Sequence, residues 1–121
     1  MFSQSYRRKR LNKLLQEEIS KIIQELKDPR IGFITITEVE LSNDMSSAAV
    51  FYSVLGEKKD KIQTEKALLN AKGYIKYRIA QELSIRKIPD FKFIFDTSIE
   101  RATKIFSLLD KIDEESRQKK I

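Results

Sequence analysis

The sequence predicts one small α+β domain: a mixed three-stranded sheet with helices packed on at least one face. Apolar residues recur at spacings of three and four along residues 5–27 and 97–112, the helical period, and two further helices are expected within residues 60–83. Three short runs rich in β-branched and aromatic residues, 33–41, 48–55 and 91–95, lie between those stretches. Gly32, Gly56, Gly73, Pro29 and Pro89 fall where the hydrophobic pattern changes. A chain of 121 residues, 40% of them hydrophobic, has the length of one domain and the apolar content for one core.

Each element has its own justification. In the first helix, Leu11, Leu14, Leu15, Ile19, Ile22, Ile23 and Leu26 trace one stripe. Asp28-Pro29 ends it, because the residue before proline avoids helical backbone. Arg8 falls in line with that stripe, so the first turn is expected to overhang the core and face water or a ligand. In strand 33–41, Ile34 and Ile36 alternate onto one face, Val39 and Leu41 onto the other. Either a bulge or a sheet partly covered on both faces explains this. Ser42-Asn43-Asp44-Met45-Ser46 has turn chemistry, and the short connection makes strand 48–55 antiparallel to the first.

Asp60 with Gln63 resembles a helix cap. A helix is expected from there to about Ala71, using Ile62, Leu68 and Leu69. Gly73 is expected to interrupt it, and a second helix to continue through Ile75, Ile79 and Leu83, with Tyr74, Tyr77 and Arg78 on its other side. Phe91, Phe93 and Phe95 share one face of the third strand. Thr97 with Glu100 forms a capping box for a last helix through Ile99, Ala102, Ile105, Phe106, Leu109 and Ile112. Residues 114–121 lack periodicity, which divides the chain into a domain of residues 1–113 and a short charged tail expected to fray. The order is α-β-β-α-α-β plus a C-terminal helix. The two-helix crossover suits a parallel, right-handed return to strand three.

Composition narrows the function. Cysteine and histidine are absent, which removes thiol nucleophiles, thiolate zinc sites and the commonest general base and metal ligand. No apolar run reaches bilayer length, and Met1–Arg7 has no apolar signal core, so a soluble cytoplasmic protein is expected. Glu38, Glu40, Asp44, Asp90 and Asp96 are explained by solvent-facing strand positions, a turn and a helix start. No metal or cofactor is expected.

Charge is unevenly distributed. Residues 1–13 carry a net +5, residues 14–57 a net −5 and residues 58–92 a net +6. If the fold brings the basic segments together, they make one positive face for a polyanion. At Ala71-Lys72-Gly73 a helix break would expose amides to an anion, although a plain packing kink has the same sequence. Tyr74 and Tyr77 could stack on bases, and Tyr74 suits the core equally.

The α-β-β-α-α-β order is similar to the type II KH RNA-binding domain, with Ala71-Lys72-Gly73 in place of the Gly-x-x-Gly that clamps nucleic acid. Such a chain resembles the ribosome-binding factor A family. The resemblance extends over Asp28-Pro29-Arg30-Ile31-Gly32, Thr35-Ile36-Thr37-Glu38-Val39, Ser42-Asn43-Asp44-Met45, Ala49-Val50-Phe51-Tyr52, Gly73-Tyr74-Ile75-Lys76, Ile85-Arg86-Lys87-Ile88-Pro89 and Phe93-Ile94-Phe95-Asp96, about residues 5–113 in all. Lys76 stands where the family often has arginine, which weakens a bidentate phosphate contact.

The resemblance implies a non-enzymatic bacterial factor that binds the small ribosomal subunit and its 16S rRNA during late maturation and rRNA processing, and aids growth after cold shock. The expected partner is that subunit, with no membrane, small-molecule substrate or second copy. The expected RNA-binding residues are Arg7, Arg8, Arg10, Lys13, Lys72, Lys76, Arg78, Arg86 and Lys87, with Ala71 and Gly73 at the kink. The competing expectation is a protein-interaction adaptor whose basic surface has no direct role with RNA.

Overall fold

A computed structural model describes residues 2–98, 105 and 107–112 of the chain. Helix α1 spans Phe2–Glu25, strands β1 and β2 span Phe33–Leu41 and Ser47–Leu55, helix α2 spans Lys58–Glu82, and strand β3 spans Asp90–Phe95. The sheet order is β1-β2-β3, with β1 antiparallel and β3 parallel to the central β2. Both helices pack on one face of the sheet, as the crossover between β2 and β3 requires.

The α1 stripe buries Leu15, Ile19, Ile22 and Ile23, while Leu14 lies on its exposed flank. The helix gives way to a turn in which the Ile31 amide donates to the Asp28 carbonyl (3.0 Å). The Asp28 carboxylate accepts from both the backbone amide of Arg30 (2.9 Å) and its guanidinium (2.7 Å). The buried Thr64 hydroxyl on α2 donates to the Arg30 carbonyl (3.3 Å), fastening the junction to the second helix.

In β1 a bulge resolves the sequence ambiguity. The register with β2 slips between Ile36 and Glu38, leaving Thr37 unpaired. That extra residue returns Val39 and Leu41 to the face of Ile36, and all three are buried. The freed groups find other partners: Gln16 of α1 donates to the carbonyls of Ile36 and Thr37 (3.3 Å each), and the Thr37 hydroxyl donates to Asp96 (2.7 Å). At the far end of this edge strand the Leu41 amide donates to Asn12 of α1 (2.9 Å). Ala48, Val50, Tyr52 and Val54 of β2 and Phe91 of β3 complete the core.

The expected pair of helices meeting at Ala71-Lys72-Gly73 is corrected: α2 runs unbroken from Lys58 to Glu82. Gly73 does not adopt positive φ, and a side chain added there would meet open space. The buried residues Thr64, Leu68, Ile75 and Ile79, with half-buried Ala71, keep helical spacing straight through it. Burying each large apolar side chain is worth about 1.5–3 kcal/mol, more than the ~1 kcal/mol a glycine costs a helix. The helix also starts earlier than the sequence suggested. Asp60 sits in its first turn and accepts from the Glu57 amide (2.8 Å). Ile62 and Leu69, expected on the apolar stripe, are exposed.

Ser98 and residues 107–112 are helical, and Ile105, Leu108, Leu109 and Ile112 are each more than half exposed. Glu100 of the expected capping box, Ile99, Ala102 and Phe106 of the last helix, and the tail 114–121 lie outside the described residues.

Candidate nucleic-acid interface

The two basic segments meet at one open cavity of about 480 Å³. Arg7 and Leu11 come from the first turns of α1, Leu41, Asp44 and Met45 from the end of β1 and its turn, and Ser84, Ile85, Arg86, Lys87 and Pro89 from the loop between α2 and β3. These segments converge because the β1–β2 turn and the start of β3 are held together: the Asp90 amide donates to the Ser46 carbonyl (3.0 Å). Arg7, Arg86 and Lys87 are exposed. Among the described residues none of the three has a hydrogen-bond or ion-pair partner.

The turn beside them is tied by its own hydrogen bonds. Asp44 accepts from the hydroxyl of Ser42 (2.8 Å) and from both the amide (3.0 Å) and the hydroxyl (2.7 Å) of Ser46. These bonds, the Ser46 hydroxyl foremost, lower its pKa from 3.8 to about 2. Met45, held between them, has φ of 60°, a left-handed conformation that a non-glycine residue seldom takes. Arg8 of α1 donates to the Asn43 side chain (2.7 Å), tying the helix start to the same turn. This cation in line with the stripe, expected to face water or a ligand, is half-buried and bonded within the protein.

The other expected residues are placed differently. Lys13 is exposed, and the Arg10 guanidinium lies 5.7 Å from the centre of the Tyr6 ring, a cation–π distance. Lys72 and Lys76 both face Asp90, at 3.1 and 3.8 Å, and the Lys72 hydrogen bond lowers the Asp90 pKa. Arg78 donates to the Tyr74 hydroxyl and to Glu25 of α1 (3.0 Å each) and lies 3.8 Å from Glu82. With 19% of its side chain exposed, Arg78 joins the two helices. The Tyr74 and Glu25 bonds raise its pKa above the ordinary value. Tyr74 and Tyr77 are exposed, so neither belongs to the core.

Among the described residues, Arg7, Arg86 and Lys87 are unpaired around an apolar hollow, whereas Lys72, Lys76 and Arg78 face carboxylates. Asp44 and Met45 line the cavity and were read from sequence as turn chemistry and as part of the family resemblance, not as site residues. An unpaired cluster of this kind attracts anions and releases counterions on neutralising phosphates. Among the described residues no group of side chains could hold a metal ion, and no helix is long and apolar enough to cross a membrane.

Comparison with known proteins gives a consistent result. The family model for ribosome-binding factor A matches residues 7–109. A relative from Thermodesulfovibrio yellowstonii, ribosome-binding factor A, is 47% identical over 117 residues, covering 95% of this chain and 98% of its own. The crystal structure of ribosome-binding factor A from Thermus thermophilus superposes with a TM-score of 0.67 at 26% identity, covering 73% of this chain and 93% of that one. A homology model of the Thermus thermophilus factor, fitted into a cryo-EM map of its complex with the 30S subunit, gives a TM-score of 0.59 at 26% identity over 70% of this chain and 90% of that one.

Proposed function

The chain belongs to the ribosome-binding factor A family, whose KH-like α+β fold it has, and from that premise we propose that it binds the small ribosomal subunit through 16S rRNA during late maturation and rRNA processing. It acts in the cytoplasm as a single copy, by positioning RNA, with no covalent step. The observation that carries this reading is the trio Arg7, Arg86 and Lys87, unpaired among the described residues and joined across sequence at one cavity. Phosphate contacts at that rim supply affinity, and rRNA shape supplies specificity. Arg8, Arg10 and Lys13 extend the positive surface along α1. Lys72, Lys76 and Arg78 contribute less, because a carboxylate must be displaced first.

The 30S complex of the Thermus thermophilus factor supports the choice of partner. One observation favours a second, protein-binding reading: the exposed apolar residues Ile105, Leu108, Leu109 and Ile112. Sedimenting cell lysate through a sucrose gradient separates the two. Co-migration with free small subunits, lost on replacing Arg7, Arg86 and Lys87 by Gln, is the expected result. Migration at the top of the gradient, or co-migration indifferent to those three residues, overturns the reading.

A further inference from the structure

We propose that the cavity between the start of α1, the β1–β2 turn and the loop after α2 seats a single unpaired nucleotide extruded from its RNA helix, with the base in the hollow and its phosphates on Arg7, Arg86 and Lys87. This rests on the RNA-binding reading and deepens it. The site is distinct from the Ala71-Lys72-Gly73 segment within α2, none of whose residues line it.

Phosphate binding alone does not explain the hollow. A paired helix presents phosphates and sugars to a basic rim and would leave the apolar floor of Leu11, Leu41, Met45, Ile85 and Pro89 uncovered. An extruded base satisfies both parts, because it has a flat face for the floor and lies one sugar away from a charge for the rim. At about 480 Å³ the cavity is within the ~300–1,000 Å³ span of small-molecule sites, ample for one base.

Three further features fit. Asp44 is the lining's one carboxylate, and its bonds to Ser42 and Ser46 keep it ionised, so phosphates are steered away from it toward the rim cations. Met45 lines the cavity in a left-handed conformation that the same bonds enforce. Strain of this kind persists only where surrounding structure over-determines it, and it clusters at ligand sites. The Ser84 hydroxyl lies in the lining with no partner among the described residues and is available to a base edge.

The test uses fluorescence anisotropy at fixed salt with three RNA hairpins: one with a single-nucleotide bulge, the same hairpin fully paired, and the same bulge made abasic. The bulged RNA is expected to bind about tenfold tighter than the other two, the scale of one stacked base. Ser84→Leu, which fills the cavity without changing charge, and Met45→Ala, which removes part of its floor, should each erase that preference while leaving the salt dependence intact. Circular dichroism serves as the folding control for both. Equal binding of all three hairpins, with a salt dependence that still responds to Arg7→Gln, overturns the nucleotide pocket and leaves the RNA reading standing. No binding to any hairpin overturns both.

Discussion

At the residue scale, Asp44 and Gly56 make the sharpest claims. The Asp44 pKa is lowered from 3.8 to about 2 by bonds that exist only in the folded turn. A depressed carboxylate contributes its stabilisation fully above its unfolded pKa and loses it as pH falls through the folded one. The turn should therefore hold down to about pH 4 and loosen between there and about pH 2. The amide resonances of Met45 and Ser46, followed by NMR against pH, should titrate with a midpoint near 2, and a midpoint near 4 would show that the bonds do not form. Gly56 has φ of 149°, and a Cβ there would lie 2.6 Å from Asp60 Oδ2, the atom that accepts from the Glu57 amide. Gly56→Ala should lower stability by about 1–3 kcal/mol, read as a lower denaturant midpoint, since it combines backbone strain with displacement of the helix cap. The turn at residues 42–46 was legible because its polar residues favour turns. That Met45 would be held at the lip of a cavity was not, since it depends on the loop after α2, forty residues away in sequence.

At the scale of elements, the strands were legible almost to the residue, because period-two alternation and bounding Gly and Pro residues are local signals. The bulge was legible as a conflict, in that Ile34 and Ile36 alternate out of phase with Val39 and Leu41. Its solution needed the partners of Thr37, which come from α1 and from beyond β3. Thr37→Val should cost about 1 kcal/mol, the net worth of one hydrogen bond, with the β1–β2 register preserved in the amide exchange pattern. Helix α2 shows where local rules fail. Glycine is a weak breaker, and burial of Leu68 and Ile75 on either side of Gly73 overrides it. Gly73→Ala should raise stability by about 0.5–1 kcal/mol, seen as a higher denaturant midpoint, because the site is open and helical. A loss of stability would mean that the glycine is needed for a bend.

At the scale of the whole molecule, the charge pattern along the chain foretold two basic segments but not which cations would be free. Lys72 and Lys76 meet Asp90, and Arg78 meets Glu25, only after the helices and sheet are assembled. The charge count over residues 58–92 could not distinguish these three from Arg86 and Lys87, which, among the described residues, the loop after α2 leaves unpaired beside Arg7. If this trio is the RNA-binding centre, the salt dependence of binding must show it. Binding to purified small subunits should be measured from low to physiological salt for wild type, for Arg7→Gln/Arg86→Gln/Lys87→Gln and for Lys72→Gln/Lys76→Gln, each shown folded by circular dichroism. The first variant should shallow the log–log slope by about two to three units and the second by less than about one. A folded triple variant that keeps the wild-type slope, or a larger loss from the Lys72 and Lys76 pair, would contradict it.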